Sequence, residues 1–270
     1  MKIFVNKHEV FASTGGRHYD KSKPVIIFLH GSGFDHTVWM LQTRYFAFHG
    51  YSVLALDLPG HGLSKGECLK SIEDMAKWLD DVIKKLECKN VSLIGHSQGC
   101  LIALEYTSKY PKIIKSIALL GTSGKMPVNP ILIKLAEEND SKVVDLMMDW
   151  SHGPAGKFST HCIPGMNHVN IGSAIMKNYP LDSVLVNDLN ACNNYTDGFE
   201  SAKKITIPVL MILGDQDKMC SLKVAKEFGK NFKTNTIKVI KNCGHMMHLE
   251  AADKTLFILK NFIKNNFSVK

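Results

Sequence analysis

The chain has 270 residues, 45% hydrophobic, 21% charged and 9% aromatic, a globular composition that excludes disordered, collagen-like and disulfide-scaffold classes. Its formal net charge of +8 raises the question of an anionic partner. The lysines are scattered, as in Lys84, Lys85, Lys203, Lys204 and Lys264, with no run of five and no interleaved aromatic platform, so no nucleic-acid partner is expected.

In chain order, the first buried strand is expected over Val25 to Leu29, running directly into His30-Gly31-Ser32-Gly33. A second strand, Ser52 to Leu56, leads into Asp57-Leu58-Pro59-Gly60-His61-Gly62, a connection marked as tight by its proline and glycines. Ser71-x-x-Asp74 has the form of a helix start, and Ile72, Met75, Ala76, Leu79, Val82, Ile83 and Leu86 then recur at helical spacing. The strand Val91 to Ile94 enters Gly95-His96-Ser97-Gln98-Gly99, and a helix follows until Pro111.

After a strand over Ser116 to Leu120 the alternation stops for about 80 residues and resumes at Pro208 to Leu213, just before Gly214-Asp215-Gln216-Asp217. A last strand, Thr236 to Ile240, leads to Cys243-Gly244-His245 and a closing helix carrying Leu249, Leu256, Ile258, Leu259 and Ile263. Strands alternating with helices predict an α/β fold with a mostly parallel central sheet. The interruption is richer in Met, Asn, Gly and His and reads as short helices and loops. We therefore expect residues 1–124 and 200–270 to form the core domain and 125–199 an inserted, largely helical lid.

Seven cysteines at irregular spacings, without a CxxC pair, fit reduced thiols. The N-terminal stretch through Lys23 has no apolar run of signal-peptide length, and no segment approaches the roughly 18 apolar residues of a membrane span, so a cytoplasmic protein is expected.

The chemistry concentrates in three places. Gly95 to Gly99 matches the G-x-S-x-G nucleophile elbow and stands between an apolar strand and a helix, where that motif acts. A serine hydroxyl is a poor nucleophile unless a base takes its proton and a carboxylate holds that base in one tautomer. Ser97, Asp217 and His245 supply these groups in the order Ser, Asp, His, with His245 just past the last strand. Asp215 also follows its strand, but a residue three beyond Gly214 has cleared the strand end, so Asp217 is expected to face the histidine and Asp215 to brace the turn. The backbone N–H groups of Ser32, in the glycine-rich loop, and Gln98, next to the serine, are the expected oxyanion donors, with Phe34 as the alternative to Ser32.

Other residues are given structural roles: Asp57, Pro59, Gly60 and Gly62 shape a loop, and His248, expected within the closing helix, is a packing or lid-contact histidine. His152, His161 and His168 have spacings that fit no common zinc site, so no metal is expected. Within the lid, Met126, Met147, Met148, Trp150, Phe158, Met166, Met176 and Tyr179 offer an adaptable apolar surface, and Met147, Met148 and Trp150 are expected to bind substrate.

Taken together, the HG-x-G element at His30 to Gly33, Asp57 to Ser64, the elbow, G-x-x-D at Gly214 to Asp217 and Gly244-His245 resemble the lid-bearing α/β-hydrolase superfamily over most of residues 24 to 265. That group includes carboxylesterases, lipases, meta-cleavage-product hydrolases, perhydrolases and prolyl aminopeptidases. The resemblance implies a cofactor-free hydrolase acting on a small-molecule ester, and the adaptable apolar surface of the lid adds the expectation of small to medium acyl chains. A serine at the elbow argues against haloalkane dehalogenases and epoxide hydrolases, which resemble this fold but place an aspartate there. Three rivals stay open: a C–C bond hydrolase, disfavoured by the absence of arginine from the lid; an amide, lactone or thioester hydrolase; and a slow-turnover ligand receptor on the same fold.

Overall fold

The computed structural model describes residues 1–157 and 167–267. Eight strands form one sheet: β1 (Lys2–Val5), β2 (His8–Ser13), β3 (Val25–Leu29), β4 (Ser52–Leu56), β5 (Val91–His96), β6 (Ile114–Leu120), β7 (Val209–Gly214) and β8 (Asn235–Ile240). Their spatial order is β1-β2-β4-β3-β5-β6-β7-β8, with β1, β2 and β4 joined antiparallel and every later pairing parallel.

Every residue of β3, β4, β5 and β7 is buried, as expected for strands covered on both faces, which read as continuous apolar runs. Val25, Ile27 and Leu29 enter the core on one side of the sheet, while Ile26 and Phe28 enter the core on the other. Strand side chains alternate between faces, so one short run feeds two cores.

The β1–β2 hairpin was not among the strands expected from sequence. Its two-residue turn is Asn6-Lys7, both at positive φ (49° and 70°), the geometry that matches strand twist in such loops.

Three helices follow the early strands: α1 (Met40–Ala47), α2 (Ile72–Lys85) and α3 (Gln98–Lys109). Helix α2 starts where its cap predicts, with the Ser71 hydroxyl accepting the Asp74 N–H at 3.1 Å. Between β6 and β7 the described chain contains α4 (Pro130–Glu137), α5 (Lys142–Ser151), α6 (Pro154–Lys157), α7 (His168–Lys177), a π-helical turn (Leu181–Leu185), α8 (Val186–Asn194) and α9 (Gly198–Lys204). Helices α10 (Leu222–Gly229), α11 (Met247–Glu250) and α12 (Ala252–Asn266) complete the fold. Among the described residues no helix is long and apolar enough to cross a membrane.

Strand β3 lies between β4 and β5, so the chain leaves β3 toward one edge of the sheet and returns on the other side of it. The crevice beyond the carboxyl ends of strands at such a reversal is where open α/β sheets bind ligands. The loop after β3 and the turn after β5 both open there.

Candidate active site

Strand β5 delivers Ser97 to a sharp turn. The serine has φ +52° and ψ −118° and sits immediately before α3, and its N–H donates to the Leu120 carbonyl at the end of β6, 3.0 Å away. A β-carbon on Gly95 would lie 2.4 Å from the Gly99 carbonyl oxygen, and one on Gly99 would lie 2.3 Å from the Leu29 oxygen. Only glycine at both positions lets strand and helix close around a non-glycine residue held in this strained conformation.

Asp217 meets His245 directly: its Oδ2 lies 2.8 Å from the histidine Nδ1, and both residues are buried. The other carboxylate oxygen, Oδ1, accepts the N–H groups of Met219 and Cys220, each at 2.8 Å. Asp215 instead turns to the backbone, taking the Cys243 N–H at 3.4 Å. With Nδ1 donating to the carboxylate, the His245 Nε2 carries the free lone pair; it is buried and makes no hydrogen bond among the described residues. His245 and Ser97 border the same cavity.

The histidine loop is fastened from several sides. The N–H groups of His245 and Met246 both donate to the Ser151 carbonyl, at 2.6 and 3.2 Å, at the end of α5. Glu250 accepts the N–H of Gly153 at 2.9 Å and that of Gly244 at 3.0 Å, joining the segment after α5 to the same loop. Burial pushes the Glu250 carboxyl up to about 7 despite those donors. His96 donates from Nε2 to the His245 carbonyl at 3.1 Å, and its pKa falls well below the ordinary value through burial and the neighbouring His248 and His245.

The loop after β3 faces the elbow closely enough that a β-carbon on Gly31 would lie 3.1 Å from the Ser97 Cβ. Within it, Phe34 N–H is taken by the Gly31 carbonyl at 3.2 Å and Gly33 N–H by Asp188 at 2.8 Å. Ser32 and Gln98 keep backbone N–H groups with no partner among the described residues. Of Ser32 and Phe34, Phe34 has its N–H engaged and Ser32 has its N–H without a partner among the described residues. His30 anchors the loop as a neutral ring: its Nε2 accepts the Leu58 N–H at 3.1 Å, Nδ1 donates to the Gly31 carbonyl, and burial lowers its pKa.

Sequence reasoning missed a buried pair beside this loop. His61 Nε2 and Asp188 Oδ2 are 3.0 Å apart, joining the Pro59 to Gly62 connection to α8. His61 had been read only as part of a tight turn, and Asp188 lies in no motif, so no sequence signal linked them. Asp35, His36 and Asp57 bring potential ligand atoms within 4.8 Å of one another, but their groups already bond within the loops. Asp57 accepts the N–H groups of His36 and Leu63, and Asp35 accepts the Thr37 and Tyr179 hydroxyls.

The cavity over the site has a volume of about 170 Å³. Met126, Val128, Leu132, Met147, Trp150 and Leu189 supply apolar walls, and Lys218 is the one lysine or arginine among its described lining residues. Met147 and Trp150 are three apart on α5 and share a face, whereas Met148 is rotated about 100° from Met147. Met148 accordingly does not line the cavity; it is buried toward α7, where a β-carbon on Gly172 would meet its sulfur at 2.6 Å. Met176 and Tyr179 also lie off the cavity, Met176 against Gly33 and the Tyr179 hydroxyl against Asp35 and the Gly62 N–H. Phe158, His161 and Met166 fall outside the described residues. His152, His168 and His248 are all buried near the site, with His248 ring-to-ring at 4.3 Å from His96 and 4.6 Å from Trp39.

A family model described as serine aminopeptidase, S33, matches residues 20–252. The chain is 27% identical over 237 residues to (E)-2-((N-methylformamido)methylene)succinate hydrolase of Acinetobacter baylyi, covering 85% of this chain and 86% of that protein. It is 24% identical over 245 residues to Protein ABHD8 of Bos taurus, covering 88% of this chain but spanning only 56% of that longer relative. In structure it is similar to an esterase from Exiguobacterium antarcticum, with a TM-score of 0.81 at 18% identity, covering 98% of this chain and 99% of the other.

Proposed function

The chain belongs to the serine aminopeptidase S33 family, within the α/β-hydrolase fold, and from that premise we propose that it is a serine hydrolase cleaving carboxylic esters of small to medium acyl chain. The observation that carries this reading is the 2.8 Å pairing of Asp217 with His245 on a cavity that also exposes the strained Ser97.

In this mechanism Ser97 Oγ attacks the ester carbonyl while His245 Nε2 takes its proton, and Asp217 stabilises the imidazolium that forms. The Ser32 and Gln98 amides, with the α3 dipole behind Gln98, hold the negative charge on the carbonyl oxygen. The histidine then gives its proton to the leaving alcohol, and water repeats the sequence on the acyl-enzyme.

Residues 125–199 act as a lid whose α5 side chains, Met147 and Trp150, shape the acyl pocket. A panel of p-nitrophenyl esters from acetate to octanoate tests this. Each methylene buried in the pocket contributes up to about 0.8 kcal/mol, so kcat/KM is expected to rise by up to about fourfold per carbon to an optimum at short to medium length. Absence of hydrolysis across the panel would contradict the esterase reading and favour a ligand receptor.

Lys218 favours a second reading, in which the same machinery acts on a substrate bearing a carboxylate, as the name of the Acinetobacter relative's succinate substrate suggests. The cation comes from outside the lid, which contains no arginine: Lys218 reaches the cavity from the turn after Asp217. Comparing p-nitrophenyl valerate with mono-p-nitrophenyl glutarate separates the two: a clear preference for the glutarate supports the anionic substrate, and equal rates or a preference for valerate oppose it.

A further inference from the structure

Resting on the serine-hydrolase reading, we propose that Asp188 is a positioning residue that sets the oxyanion hole from the helical insert. It touches both chain segments that carry the assigned donors. Its Oδ2 accepts the Gly33 N–H at 2.8 Å, one residue from the Ser32 amide, and its backbone carbonyl accepts the Gln98 side-chain amide at 3.4 Å. Gly33 lies in the loop after β3 and Gln98 at the start of α3 after β5, so one residue of α8 ties these two segments together.

Asp188 is completely buried, and a bare carboxylate beside an oxyanion hole would repel the charge the hole must hold. His61 removes that conflict. Its Nδ1 lies 3.1 Å from the Pro59 carbonyl and its Nε2 3.0 Å from Asp188, so with Asp188 as a carboxylate both ring nitrogens face acceptors, the arrangement of an imidazolium. Burial opposes the charge on either partner, yet Asp188 raises the His61 pKa, and His61 with the Gly33 N–H holds Asp188 below the usual carboxylate range. An imidazolium–carboxylate pair of this kind carries no net charge. It steers a backbone N–H without adding net charge next to the reacting carbonyl.

The second carboxylate oxygen, Oδ1, is buried without a hydrogen bond among the described residues. Asparagine can therefore keep an oxygen on Gly33, whereas alanine removes the tether. The test compares Asp188→Ala and Asp188→Asn by steady-state kinetics on p-nitrophenyl butyrate, with active sites counted by a fluorophosphonate, and by affinity for a trifluoromethyl ketone that forms a tetrahedral adduct.

Loss of one oxyanion donor lowers kcat by roughly 10² to 10³, so Asp188→Ala is expected to lose about 100-fold in kcat with KM within about threefold. Its ketone affinity should fall by about the same factor as kcat/KM, and Asp188→Asn should recover most of both. A purely structural role would lower the melting temperature while leaving the rate per titrated site and the ketone affinity near wild type, and that result overturns the proposal. If Asp188→Ala does not fold, Gln98→Met cuts the other tether; a fivefold or larger loss of ketone affinity at unchanged KM supports the proposal, and wild-type affinity overturns it. Failure of the fluorophosphonate to label Ser97 in the wild-type chain would instead sink the serine-hydrolase reading.

Discussion

Replacing Asp217 by asparagine probes the pairing at the centre of the site through a change of one atom. Oδ1 receives two backbone N–H groups, from Met219 and Cys220, both at 2.8 Å, so an amide NH₂ cannot occupy that position without three donors facing one another. The asparagine oxygen must take those two N–H groups, which leaves its NH₂ opposite His245 Nδ1, where Oδ2 lay at 2.8 Å. A donor there is satisfied only if Nδ1 becomes the acceptor and the ring proton moves to Nε2. The nitrogen that should receive the serine proton is then already protonated.

A wrong-tautomer histidine in a serine triad costs on the order of 10⁴ in kcat, equivalent to about 5.5 kcal/mol of barrier. Asp215→Asn should cost less than about tenfold, because among the described residues that carboxylate takes only the Cys243 N–H, at 3.4 Å. The assay is kcat on p-nitrophenyl butyrate with active sites titrated, alongside thermal melting to show that both variants are folded. An Asp217→Asn enzyme within tenfold of wild type, or an Asp215→Asn enzyme that is the more damaged of the two, would refute the reasoning.

Three further outcomes follow from the packing. Burial drives the His248 pKa down to about 3 and that of His152 to about 4, so the folded state excludes protons that the unfolded chain binds below about 6.5; stability is full above that value and is lost as pH falls through it. His248→Leu should therefore remove on the order of 2 kcal/mol of the acid-induced loss at pH 5, seen as a smaller gap between melting temperatures at pH 8 and pH 5; an unchanged gap counts against a proton-excluding site. Gly99→Ala drives a methyl to 2.3 Å from the Leu29 oxygen and should abolish soluble expression or cost more than about 3 kcal/mol by denaturant melt, whereas near-wild-type stability would show that the elbow can open. Met147→Ala and Trp150→Ala should change the octanoate-to-acetate rate ratio while Met148→Ala lowers stability alone, and a ratio constant across all three would remove α5 from the acyl pocket.

What the sequence made legible was local. The apolar runs Val25 to Leu29 and Val91 to Ile94 could be read as buried parallel strands because both faces are covered, and the elbow could be read because strand, glycines and helix are contiguous. The step from Gly214 to Asp217 was legible as a turn that clears the strand end, and the structure turns Asp217 to His245 and Asp215 to the backbone. The β1–β2 hairpin escaped because its turn is Asn6-Lys7 rather than a glycine-bearing pair, and because exposed Phe4 on β1 reads as surface without its partner strand. Met148 was grouped with Met147 and Trp150 on composition; the phase of α5, set by how it packs on α7, separates them. The His61–Asp188 contact joins residues 127 apart in sequence, and nothing local in either segment encodes it.

The central claim is that Ser97 is the nucleophile, and the most direct measurement is intact-protein and peptide mass spectrometry after treatment with a fluorophosphonate, paired with ester turnover by Ser97→Ala. The account predicts one phosphonyl group, on Ser97, and loss of turnover by many orders of magnitude in a variant that melts like the wild type. Labelling of a different serine, together with a Ser97→Ala chain that still hydrolyses esters, would contradict it.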